Sequence, residues 1–164
     1  MRPDTPSRAP GQRGFTLIEM IAVVAIVGVL AASARPILEL SVRRSQELTL
    51  RQGLRTLRGA IDAYKRAVDE GRVARSELDS GYPPSLDVLV QGVPDAKATE
   101  PQRIYFLRRL PRDPFAETDL PAAQTWATRS YDSPPDAPRA GRDVFDVFSR
   151  SPRVGLDGTP VSQW

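Results

Sequence analysis

The chain has 164 residues, 23 basic and 20 acidic side chains, a net charge of +3, and neither cysteine nor histidine. Those two absences exclude disulfide staples, Cys/His zinc sites, Ser-His-Asp triads and Cys-His dyads. The length allows one globular domain with an accessory element, and the charge is unevenly placed: +2 in residues 1–14, −1 in 15–34, +3 in 35–70 and −1 in 71–164. The carboxy-terminal part is thus close to neutral, and no basic patch in it marks a nucleic-acid partner.

Residues 1–14 hold three arginines, three prolines and two glycines, and show no apolar periodicity. They read as a short basic leader. Residues 15–34 follow as 20 residues that are nearly all apolar or small, with Glu19 as their one charge. At ~1.5 Å per residue they make about 30 Å of helix, enough to cross a bilayer's hydrocarbon core. The arginines before them place the amino terminus in the cytoplasm and the rest across the membrane. A carboxylate inside such a run costs ~2.5–3.5 kcal/mol on insertion, so Glu19 needs a partner or must reach the interface. Two plainer readings stand beside this. One is a signal anchor whose Glu19 snorkels. The other is a secretory signal cut after Ala31-Ala32-Ser33-Ala34, which leaves the order before Met20 unexplained.

That order, Arg13-Gly14-Phe15-Thr16-Leu17-Ile18-Glu19, resembles the class III signal of the type IV pilin-like protein family. The resemblance implies that a prepilin peptidase cuts between Gly14 and Phe15 and methylates the new amino group of Phe15. It also implies that Glu19 neutralises the amino terminus of a neighbouring subunit, so that a membrane penalty becomes an assembly signal. Gly28 and the many small residues suit close helix packing. Pro36 sits where many members carry a helix-kinking proline, and a proline there predicts a kink or local melt by itself.

Helical patterning resumes past Pro36. Leu50, Leu54, Leu57, Ile61, Tyr64 and Val68 follow spacings of 4, 3, 4, 3 and 4, a single apolar stripe, with Arg51, Arg55, Arg58, Asp62, Lys65, Arg66 and Asp69 on the other faces. Glu70-Gly71 is the expected stop. The stripe predicts packing on the domain that follows, with Leu54, Leu57, Ile61 and Tyr64 more than three-quarters buried. The weaker pattern of residues 39–49 predicts a stretch clear of the domain.

Residues 71–164 hold twelve of the sixteen prolines, so long helices are not expected. Gly81-Tyr82-Pro83-Pro84 is a turn, and Ser85 caps a short helix over residues 85–90. Residues 91–103 read as an exposed loop, and residues 104–107 are ambiguous. Residues 126–131 and 143–149 read as strands. Residues 134–141 form the loop between them. Gly155-Leu156-Asp157-Gly158-Thr159 is a tight turn, and the indole of Trp164 returns to plug the apolar face.

This half resembles the major pseudopilin family of type II secretion. The residues that carry the likeness are Tyr82-Pro83 with Leu86 and Leu89-Val90, then Leu110-Pro111-Arg112-Asp113-Pro114-Phe115, then Asp146-Val147-Phe148-Ser149. The resemblance implies a calcium ion in the loop after the last strand. Calcium takes six to eight oxygens, yet residues 149–164 contain one acid, Asp157, while Asp143 and Asp146 precede them. Ligand count therefore favours Asp157 as a turn-former and no metal, with calcium kept as what the family implies. No phosphate-cradling glycine loop and no close acid–base pair is present, so no enzyme is expected.

The fold expected is α+β, a pilin-like lollipop. Its parts are a leader (1–14), a membrane-spanning, filament-core helix (15–35), a periplasmic stalk helix (36–70) and a small β-rich domain (71–164). The second half of the long helix packs on a small, mostly antiparallel sheet built after about residue 100. The function expected from the resemblance is a structural subunit of a type II secretion pseudopilus, or alternatively of a type IV or competence pilus. A membrane-anchored periplasmic enzyme or binding module is a remote third. Partners would be copies of itself, other pseudopilins, the prepilin peptidase and an inner-membrane secretion platform.

Overall fold

The computed structural model describes residues 14–76 and 79–164, the side chains of residues 33–37 excepted. The chain divides into two compact units, Met1–Ser41 and Val42–Trp164. Helix α1, Leu17–Asp69, is 53 residues long and contributes to both.

In the first unit, the large hydrophobics of residues 15–30 are all exposed, from 46 % at Val23 to 80 % at Leu17. Among the described residues no helix is long and apolar enough to cross a membrane. The apolar run with described side chains stops at Ala32, short of the span read from the sequence. The leader before Gly14 lies outside the described residues, and the α1 backbone stays helical through Pro36, so the local melt expected there does not form.

The second unit is built around the stripe. Leu50, Leu54, Leu57, Ile61, Tyr64 and Val68 are all buried, as their spacing predicts. At ~1.5–3 kcal/mol per fully buried large apolar side chain, this stripe is the main local source of stability. α1 ends where Gly71 turns left-handed (φ 70°), with the Gly71 and Arg72 N–H groups bonded back to the Val68 and Ala67 carbonyls. Arg72 then pairs with Asp95 at 2.6 Å, fixing the chain that follows to the helix end.

Among the described residues, the elements against the stripe are short. Helix α2 is Val88–Gln91, and its cap residue is Asp87 with no side-chain capping bond, so the cap expected at Ser85 does not form. Strands β1 (Val93–Pro94) and β2 (Arg103–Ile104) pair antiparallel. Strands β3 (Trp126–Arg129) and β4 (Asp146–Ser149) pair antiparallel, with Trp126 opposite Ser149. The single sheet expected is therefore two separate two-stranded sheets, one of them beginning before residue 100. Twelve prolines remove that many ladder donors from this half, which keeps each strand short.

The core joins the stripe to Leu86, Leu89, Trp126, Val144, Val147 and Val161. Gly53 makes room for Trp126: a Cβ there would stand 3.2 Å from the indole, whose Nε1 donates to the Pro111 carbonyl at 2.9 Å. The class read from the sequence, α+β with a long amino-terminal helix on small antiparallel sheets, is the class observed.

Candidate functional site

Gly14, Phe15 and Thr16 precede the helix, and Leu17 is its first residue. Thr16 caps it. Its Oγ1 accepts from the Glu19 N–H at 3.3 Å, and its carbonyl accepts from the Met20 N–H at 3.2 Å. Thr16-Leu17-Ile18-Glu19 is thus one half of a capping box, its T-x-x-E pattern visible in the sequence. Glu19 also places a carboxylate in the first turn, where the helix dipole favours it by ~0.3–1 kcal/mol.

Gly14 has a different character. A Cβ built on it meets nothing within 4 Å, and its φ is not in the left-handed region. The fold does not require glycine here, so the requirement for a small residue, where there is one, comes from something that reads the chain. Phe15 beside it is 74 % exposed. The structure therefore brings Gly14, Phe15 and Glu19 together at one helix start, while Pro36 lies outside its described side chains.

The other polar groups of interest are in the second unit. Asp113, 3 % exposed, accepts from Ser149 Oγ at 2.6 Å and from the Phe115 N–H at 2.8 Å. Asp143, 4 % exposed, accepts from the Ser80 hydroxyl, from Ser130 Oγ at 2.8 Å and from the Tyr131 N–H at 2.8 Å. Burial pushes the Asp143 carboxyl up, but those three donors outweigh it and hold it below the ordinary carboxylate value. Each carboxylate accepts from donors that knit separate segments together.

The loop expected to hold calcium offers little to a cation. Asp157 Oδ2 is paired with Arg51 at 2.6 Å, and its Oδ1 accepts from the Thr159 N–H at 2.9 Å. That N–H, with Arg51 beside it, holds the Asp157 carboxyl below its ordinary value. Asp146 is paired with Arg58 at 2.8 Å, and Asp143 is occupied as described. Among the described residues no group of three or more acidic side chains is placed to hold a metal ion. The residues present do not fit a calcium site.

The prokaryotic N-terminal methylation motif matches residues 10–34. Type II secretion system core protein G of Klebsiella pneumoniae is 34 % identical over 63 % of this chain and 69 % of its own. Its counterpart in Vibrio cholerae serotype O1 is 30 % identical over 90 % of this chain and 82 % of its own. A fimbrial protein of Moraxella nonliquefaciens is 48 % identical, but over only 27 % of this chain and 31 % of its own. No solved structure matches.

Proposed function

We propose that this chain, which belongs to the family of type II secretion system core protein G, is a structural subunit of a type II secretion pseudopilus and not a catalyst. The observation that carries the reading is the helix start: an exposed, all-round apolar helix opening on Gly14-Phe15, with Glu19 in its first turn. Such a surface is unstable in water and is satisfied by lipid before assembly and by like helices after it.

In this reading the chain is anchored once in the inner membrane, with the leader in the cytoplasm and residues 71–164 in the periplasm. A prepilin peptidase cuts at Gly14–Phe15 and methylates Phe15. Glu19 then meets the free amino group of a neighbouring copy. Partners are further copies, other pseudopilins and the inner-membrane platform; nucleic acid is not among them. A pilus pilin is the second reading, and the likeness to the fimbrial protein favours it. That likeness spans 48 residues, whereas the likeness to core protein G of Vibrio cholerae spans 152.

The test is intact mass of membrane-extracted protein. We expect loss of residues 1–14 and the gain of one methyl group. Gly14→Leu should leave the precursor uncut while the second unit folds as before, since nothing in the fold needs Gly14. Glu19→Gln should be cut and inserted yet fail to join filaments. A mature chain starting near Arg35 would overturn the reading, and intact secretion with lost surface fibres would move it to a pilus.

A further inference from the structure

Four residues of α1 meet the last segment of the chain in sequence. Arg43 donates to the Val154 carbonyl at 2.6 Å. Glu47, 7 % exposed, accepts from the Leu156 N–H at 2.8 Å. Arg51 pairs with Asp157 at 2.6 Å and lies 4.1 Å above the Trp164 ring. Arg58 donates to the backbone oxygens of Trp164 at 2.8 Å and Val147 at 3.2 Å while pairing with Asp146. Spacings of 4, 4 and 7 place all four on one helix face.

The loop presents a matching order of groups: a carbonyl, an N–H, a carboxylate, a carbonyl. It is itself closed by the Val154–Pro160 bridge and by the Gly155 N–H to the Thr159 carbonyl at 2.8 Å. Val161 drops into the core at 1 % exposure, and the Trp164 ring sits where a Cβ on Gly155 would come within 2.4 Å of it. Both ends of the loop and its tip are therefore fixed by the chain's own side chains.

We infer that residues 153–164 are fastened to α1 by this charge ladder, and that the loop holds its shape without a divalent cation. The acid of the loop and that of the strand before it, Asp157 and Asp146, are the ones Arg51 and Arg58 occupy, so the ladder competes with any calcium site built on them. Three of the contacts are to backbone atoms or a buried carboxylate, so they resist salt better than a surface pair does.

Hydrogen exchange on the full chain in detergent tests this. Amide protection over residues 153–161 should be the same in excess EDTA and in millimolar calcium chloride. Arg51→Ala should raise exchange there by roughly tenfold and leave the β3–β4 amides unchanged, a local opening without global unfolding. If Arg51→Ala lowers the yield of folded protein, Arg51→Met keeps the packing over the indole and isolates the charge. The swap Arg51→Asp with Asp157→Arg should restore most of the protection. Faster exchange in EDTA that calcium reverses would overturn the inference, and so would unchanged exchange in both Arg51 variants. The measurement is made on the subunit alone, so its failure leaves the filament reading standing.

Discussion

α1 is one helix with two different solutions to the same problem. In residues 15–30 every large hydrophobic is at least 46 % exposed, whereas from Leu50 to Val68 the stripe lies between 0 and 7 %. The first stretch is apolar all round, so no single partner face can cover it. The second is apolar on one side only, and the chain supplies the cover from its own carboxy-terminal half. A helix of the second kind stabilises a fold, while one of the first kind waits for lipid or for other copies. On the proposed reading, function lives in the part that the chain's own fold leaves uncovered.

The sharpest way to break that contrast is a pair of matched truncations. Leu57→Ala in the stripe, where Leu57 is fully buried, should cost about 2–5 kcal/mol in urea unfolding of the full chain. Ile26→Ala, at a site 60 % exposed, should leave the same transition unchanged to within about 0.5 kcal/mol and lower the yield of assembled filament instead. An equal loss of stability from both would mean that the first stretch is covered by its own chain.

A smaller effect separates packing from polar order in the second unit. Asp143 sits below the ordinary carboxylate value when folded, so it favours the native state at neutral pH. That contribution is fully present above the ordinary carboxylate value and is lost as pH falls from there through the lower folded value. Asp143→Asn should therefore lower stability at pH 7 and flatten the acid limb of the unfolding profile. The wild-type limb unchanged by the substitution would show that the Ser80, Ser130 and Tyr131 contacts do not stabilise the charged form.

What was legible in the sequence follows from range. The stripe could be read because its spacing is set by one helix, and β3 and β4 because β-branched and aromatic residues cluster there. β1 was read as loop, since two residues ending in proline carry no strand pattern. Asp143 reads as strand in the sequence, yet β4 begins at Asp146 and the Asp143 carboxylate collects donors from residues 80, 130 and 131. The arginines of the ladder read as a solvated face. Arg51 and Arg58 meet partners 106 residues away, a distance that no local pattern reports. The sequence predicts residues 39–49 to stand clear, yet Glu47 is buried and accepts from the Leu156 N–H, a partner as far off in sequence. At the helix start the motif residues were legible, and only the structural part played by Thr16 was missed.

That part gives the smallest effect, and it bears on the comparison most directly. Thr16 and Glu19 lie in the half of α1 that has no internal cover, so any stability they confer is local. Thr16→Ala removes the acceptor for the Glu19 N–H and should cost the first turn about 1 kcal/mol. Thr16→Ser keeps the oxygen and should cost much less. Neither should move the unfolding of the second unit. Exchange of the amides at residues 17–20 in detergent checks this, with faster exchange in the alanine variant alone. If Thr16→Ala also impairs filament assembly while its Glu19 charge is intact, then a well-formed first turn is what aims that carboxylate at the neighbouring subunit. If assembly is unaffected, the charge acts at longer range than the cap, and the motif's threonine serves only the helix.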